Sequence, residues 1–243
     1  MKFQSLILSL CCLALGCSMQ SRKVYKTHTN TVKLIAPDSI YPPIDLVISN
    51  HSAWTKTHYP EKIKEFKNAP LEFNDIVFLG NSITEFGGDW AKRFNLPNIR
   101  NRGISGDVTE GVIKRLGEII YYKPKAVFLM IGINDLFIDS VKAEYVANNI
   151  IEIAAVIKKE SPSTKIFIES VLPTNNKKLV EKIHQTNLIL KAKASIKDYN
   201  FINIHVLMAG RDDLMIKDNT RDGVHLTELG YQIWVAKVKK YLR

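Results

Sequence analysis

Cysteine is missing from nearly the whole chain: Cys11, Cys12 and Cys17 are its only three, and all fall within the first seventeen of 243 residues. The remainder therefore holds no disulfide framework, no Cys-x-x-Cys redox pair and no thiolate zinc site. Also absent are a Gly-x-Gly-x-x-Gly or Walker sequence to cradle phosphate, a His-Glu-x-x-His pair to hold a metal, and a Gly-x-Ser-x-Gly elbow. Internal repeats and low-complexity tracts are lacking. The apolar run Phe3–Leu15 is too short to span a bilayer. Acidic residues are in deficit, 24 against 34 Lys and Arg, for a formal charge of +10. The lysines are dispersed and no basic-aromatic stripe accompanies them, so a solvated basic face is expected, with at most weak attraction to anionic membrane or polysaccharide and no nucleic-acid partner.

Lys2 ahead of the apolar run predicts a signal peptide over residues 1–16. The run Leu13-Ala14-Leu15-Gly16-Cys17 resembles the bacterial lipobox, with small Gly16 in its most demanding place, although Ala14 and Leu15 depart from it. That resemblance implies lipidation of Cys17 and an exported cell-envelope lipoprotein anchored to a membrane. The alternative is a plain secretory leader and a soluble product. A mature chain starting at Cys17 would contain no disulfide. Residues 17–31 are polar and aperiodic and read as a tether.

Residues 32–70 read as an N-terminal wrap on the main domain. Pro42-Pro43 interrupts regular structure, and Pro60 is expected to open a short helix, Glu61 to Asn68, closed by Pro70. From residue 71 to 243 apolar runs alternate with helical spacing, as one domain of ordinary size. The strands expected are Ile76–Leu79, Ile99–Asn101, Ala126–Ile131, Ile166–Ser170 and Phe201–Ile204. The helices expected are Thr109–Ile120, Val141–Lys159, Leu179–Lys197 and Thr227–Leu242. Such alternation implies an α/β sandwich around a parallel sheet with right-handed crossovers. Chemistry in such sheets gathers at the carboxyl ends of the strands.

Ser82, in Gly80-Asn81-Ser82, directly follows the first of these strands. A serine hydroxyl is a poor nucleophile without an adjacent base. Asp222-Gly223-Val224-His225 can supply one: at this spacing the carboxylate can accept from one ring nitrogen and leave the other facing Ser82. Alone, each element has a plainer reading as a helix cap or loop residue. The remaining histidines, His28, His51, His58, His184 and His205, have no carboxylate so well placed. Gly106, in Gly103-Ile104-Ser105-Gly106-Asp107, and Asn134, in Gly132-Ile133-Asn134-Asp135, each follow a later strand. There a backbone N–H and a side-chain amide can meet a developing oxyanion.

These four blocks, in this order, resemble the signature blocks of SGNH hydrolases, the GDSL esterase family, and the likeness runs from Leu71 to Leu242. Within it the chain looks nearest to bacterial relatives of platelet-activating-factor acetylhydrolase and of carbohydrate O-acetylesterases. The resemblance implies a flavodoxin-like three-layer α/β/α sandwich with a central five-stranded parallel sheet, and metal-free, cofactor-free chemistry through an acyl-serine. It implies Ser82 as nucleophile, His225 as general base and Asp222 as its orienter. The implied oxyanion hole is the N–H of Ser82, the N–H of Gly106 and the side chain of Asn134. Asn81 departs from the family's usual aspartate.

The activity expected is hydrolysis of short acyl esters, acetyl groups on carbohydrate foremost, with Trp54 or Trp90 available to stack on a sugar ring. A lysophospholipase or other lipid or aryl esterase is the same-chemistry alternative. A non-catalytic glycan-binding lipoprotein is the alternative of another class. A flavin or nucleotide binder lacks any phosphate-cradling sequence.

Overall fold

The computed structural model describes residues 37–242. The predicted signal peptide, the tether with Cys17, and the start of the wrap lie outside the described residues. Five strands, β1 (Ile76–Gly80), β2 (Ile99–Gly103), β3 (Ala126–Met130), β4 (Lys165–Glu169) and β5 (Asn200–Ile202), form one parallel sheet in the order β2-β1-β3-β4-β5. Among the described residues the α-helical segments are α1 (Ala53–Asn68), α2 (Ser82–Glu85), α3 (Trp90–Phe94), α4 (Thr109–Lys114), α5 (Gly117–Tyr122), α6 (Ile133–Leu136), α7 (Ala143–Glu160), α8 (Val180–Lys193), α9 (His205–Met208) and α10 (Glu228–Val238). None is long and apolar enough to cross a membrane.

β1 and β3 are buried at every position, as central parallel strands covered on both faces must be. Register sets Phe78 opposite Phe128, and Phe128 opposite Phe167, so their rings stack along one face at 5.0 and 4.6 Å. Trp90 of α3 lies flat on Phe78 at 4.4 Å, and Trp234 of α10 meets Trp90 edge-on at 4.8 Å. On the other face α7 buries Val146, Ala147, Ile150, Ile153, Ala154 and Ile157, a stripe at helical spacing, and packs with α4, α5 and α8. The chain reverses its direction of winding between β1 and β3. Both helical layers and the sheet order are those of the flavodoxin-like sandwich expected, with the site region at the carboxyl ends beside that reversal.

The structure corrects several boundaries. Pro60 lies inside α1, which starts at Ala53 rather than Glu61. Ser52 caps the earlier start by accepting from Thr55 N at 3.1 Å, worth about 1 kcal/mol. Buried Thr55 and Tyr59 hold the first turns down against the body, and Pro60 leaves only the Lys56 carbonyl without its helical donor. The expected helix Thr109–Ile120 is two, α4 and α5. Arg115 turns inward between them, and Gly117 lets the Ile40 carbonyl pass where a Cβ would collide. The expected helix Leu179–Lys197 stops at Lys193, and Thr227–Leu242 gives way to a 3-10 turn at Lys239.

Residues 37–70 bury a second, smaller apolar cluster. Tyr41, Ile48, Tyr59, Ile63 and Phe66 pack there with Ile104 and Val108 from the loop after β2. Buried polar bonds fasten the same segment. Glu118 accepts from the Tyr41 hydroxyl at 3.1 Å and from Leu71 N at 3.0 Å while pairing with Arg102 at 2.8 Å, and Arg102 donates to the Ala69 carbonyl.

Candidate active site

Gly80 ends β1 with its Cα pressed against the Met130 carbonyl and Thr84 side chain, where any Cβ would collide. The chain then turns sharply into α2. Asn81 caps that helix, its Oδ1 accepting from Ile83 N at 3.0 Å, so the amide does the capping work open to an aspartate. Ser82 becomes the first helical residue, 7% exposed. Tyr231 donates to the Ile83 carbonyl at 2.8 Å and the Trp90 indole to the Thr84 carbonyl at 3.0 Å, locking this short element to the core.

From 143 residues downstream, His225 Nε2 comes within 3.0 Å of Ser82 Oγ. Its Nδ1 is 2.7 Å from Asp222 Oδ2. An acidic acceptor at Nδ1 favours the tautomer with the proton there, leaving Nε2 free to accept from the serine hydroxyl. Asp222 Oδ1 also accepts from the N–H groups of Val224 and His225, at 3.0 and 2.8 Å. Partial burial pushes the Asp222 carboxyl up, but the His225 ring and these two N–H groups outweigh it and bring it down to about 2. Thr220 Oγ1 binds Gly223 N and the His225 carbonyl, closing the loop. The Phe86 ring lies 5.1 Å from the imidazole.

The loop after β2 turns at Ile104–Asp107, with Asp107 N donating to the Ile104 carbonyl at 3.1 Å and Gly106 at φ +78°. A third turn residue with positive φ makes this a type II turn, which favours glycine. Thr55 of α1 lies directly over Gly106, where a Cβ would strike its hydroxyl. Asn134, in α6 after β3, donates Nδ2 to the Asp107 carbonyl at 2.8 Å and retains a second amide hydrogen. Its neighbour Asp135 accepts from Thr109 N and Oγ1. Burial pushes the Asp135 carboxyl up to about 6, against the pull of those Thr109 bonds.

His225 is thus within hydrogen-bond reach of both Ser82 and Asp222, and Asn134 of α6 is bonded to the loop that carries Gly106. Trp90, a candidate for sugar stacking, is instead core, 1% exposed; Trp54 is 57% exposed and stacks on His58 at 4.5 Å. Sequence reasoning missed a set of supporting residues. Arg115 bonds Asp107 Oδ2 at 2.9 Å and the carbonyls of Arg102 and Gly80, tying two strand ends together. His51 pairs with Asp107 at 3.0 Å and His58 with Glu85 at 3.2 Å, so two of the five histidines set aside do find carboxylates, across 56 and 27 residues. Pairs so distant leave no spacing to read. Among the described residues no group of three or more His, Cys, Asp or Glu side chains is placed to hold a metal ion.

Comparison with known proteins bears on this geometry. The model of the GDSL-like Lipase/Acylhydrolase family matches residues 78–233. N-acylneuraminate cytidylyltransferase of Escherichia coli O18:K1:H7 is 27% identical over 193 residues, 75% of this chain. The chain spans 43% of the length of that curated relative. A solved structure from Streptococcus pneumonia, provisionally assigned as a platelet activating factor, is 27% identical with a TM-score of 0.70, over 78% of this chain and 95% of that one. An acetyl-xylooligosaccharide esterase from Geobacillus Stearmophilus, 18% identical, shares the fold at a TM-score of 0.58 over 70% of this chain and 94% of its own.

Proposed function

The chain belongs to the GDSL-like lipase/acylhydrolase family, and on that premise we propose a serine esterase that removes short acyl groups, acetyl foremost, from carbohydrate esters. One observation carries the reading: Ser82 Oγ, His225 Nε2 and Nδ1, and Asp222 Oδ2 stand in line at 3.0 and 2.7 Å.

In this reading His225 Nε2 takes the hydroxyl proton as Ser82 Oγ attacks the ester carbonyl carbon. The carbonyl oxygen becomes negative and is met by the N–H of Ser82, the N–H of Gly106 and the remaining amide hydrogen of Asn134. Ser82 opens a helix, so its N–H has no intrahelical acceptor and is free for this task. The imidazolium passes its proton to the departing alkoxide oxygen, leaving acyl-Ser82. Water, deprotonated by the same nitrogen, then attacks the acyl carbon and releases the carboxylic acid and free serine. Asp222, ionised throughout the neutral range, holds the imidazole and balances its charge.

Carbohydrate is favoured as the alcohol by the exposed face of Trp54, since aromatic faces are the usual platform for sugar rings. The sugar-acid relative points the same way. An acyl-ester panel that includes acetylated xylan and acetylated sialic acid tests the substrate: rising kcat/KM with acyl chain length would favour the lipid esterase instead. Ser82→Ala should abolish turnover and fluorophosphonate labelling. Absence of both in the parent would leave the glycan-binding reading. We also propose lipid anchoring through Cys17, on its lipobox-like surroundings. Cys17→Ser should release the protein from the membrane fraction, and unchanged partitioning would reject the anchor.

A further inference from the structure

We infer that the segment from His51 to Lys62, which precedes the family-matched region, is a positioning device for the oxyanion hole, with His51, Thr55 and His58 aiming the N–H of Gly106. The inference rests on the reading of Gly106 as an oxyanion donor. The direction of a peptide N–H is set by the torsions on either side of it, here ψ of Ser105 and φ of Gly106. Glycine brings little torsional preference of its own, so the orientation has to be imposed by the neighbours.

Both neighbours are held. On one side, Glu85 Oε2 accepts from Ser105 N at 2.5 Å and from Ser105 Oγ at 2.6 Å. His58 bonds both oxygens of Glu85, at 3.3 and 3.2 Å, and Lys62 stands 3.6 Å away. Burial pushes the Glu85 carboxyl up, yet these bonds and charges win and keep it below its ordinary value, ionised for its role. On the other side, Asp107 is taken by His51 at 3.0 Å through Oδ1 and by Arg115 at 2.9 Å through Oδ2. Thr55 closes over Gly106 between them. The outer flanks, Ile104 and Val108, are buried in the apolar cluster of the same N-terminal segment.

Every residue from Ile104 to Val108 is therefore fastened to, or covered by, chain that begins before residue 71, directly or through Glu85. Among the described residues, none of the hydrogen bonds of the Ser82, His225 and Asp222 side chains comes from that chain. A scaffold for folding alone would not need to grip the two residues flanking one glycine through separate charged pairs. Oxyanion donors act over 2.7–3.1 Å and weaken steeply with misalignment, so a loosened turn costs rate while leaving ground-state binding in place.

The test uses the full chain and its His58→Ala, Glu85→Ala and His58→Gln variants, with p-nitrophenyl acetate as substrate. Rates are normalised to active sites titrated with a fluorophosphonate, so a misfolded fraction does not count. Binding of a trifluoromethyl ketone, which mimics the tetrahedral oxyanion, is measured alongside. Expected is a kcat per titrated site lowered about 10-fold in the alanine variants, less than the 10²–10³ lost when a donor is deleted outright. KM should stay within about twofold, trifluoromethyl ketone affinity should fall in parallel with kcat, and His58→Gln, which keeps an N–H donor, should recover most of the loss. Normalised kcat unchanged in both alanine variants would overturn the inference. So would a loss residing in KM, or trifluoromethyl ketone binding left intact. A parent enzyme without turnover would count against the esterase reading itself, a distinguishable result.

Discussion

Asn134 donates its side-chain amide to the backbone carbonyl of Asp107 at 2.8 Å, one residue beyond Gly106. Two of the three proposed oxyanion donors are thereby joined, and each helps hold the other. Asn134→Ala should lower kcat by about 10²–10³ with KM little altered. Asn134→Asp, which puts acceptors where a donor is needed, should be worse than alanine. Steady-state kinetics on p-nitrophenyl acetate decide it, and an alanine variant within threefold of the parent would remove Asn134 from the hole.

Asp222 is half exposed yet fastened by three donors. Asp222→Asn keeps the shape but loses the acceptor that fixes the imidazole tautomer, so kcat should fall by up to about 10⁴. With its carboxyl at about 2, Asp222 stays ionised well below the unfolded value of about 3.9. Whatever it adds to stability is present above that unfolded value and is lost as pH falls toward 2. An acid limb of the rate profile above pH 4 must then belong to another group, and a limb abolished by Asp222→Asn would contradict this.

Glu169 sits at the end of β4, fully buried, accepting from the Trp234 indole at 2.7 Å and leaving Oε2 without a partner. Burial pushes its carboxyl up to about 8, with the Trp234 bond pulling the other way, so it is neutral in the folded protein at pH 7. Unfolding between about pH 4.3 and 8 releases its proton, and the linked stability is therefore lost as pH rises through that window. Glu169→Gln removes this dependence. Thermal midpoints of variant and parent should diverge in the variant's favour from pH 5 to 8, and parallel curves would refute the prediction.

Trp54 presents an open face beside His58. Trp54→Ala should reduce kcat/KM on an acetylated xylo-oligosaccharide at least about fivefold more than on p-nitrophenyl acetate, consistent with one stacking contact of about 1 kcal/mol. Equal losses on both substrates would deny the ring a part in recognising sugar.

The sheet and the four blocks at its carboxyl edge were legible because their signals are local. Apolar runs such as Ile76–Leu79 are bounded by turn residues, and Asp222 and His225 are three apart. Ser82 meets His225 across 143 residues, which no spacing reveals; the family resemblance carried that link. The start of α1 is hard to read because Pro60 is a strong local breaker that outweighs the local cap at Ser52, whereas the buried faces of Thr55 and Tyr59 act through tertiary packing. Arg115 carries no signal of its own in the sequence, since its partners are two backbone carbonyls and a carboxylate brought together only by folding.

The three tryptophans divide into two environments: Trp90 and Trp234 inside the aromatic layer over β1, Trp54 out on α1. The protein thus carries two separable fluorescence reporters. Iodide or acrylamide at low concentration would quench the exposed indole alone, so its quenching reports on the outer face of α1. The shielded pair stays dark to quencher until the core opens, and records unfolding without an added dye.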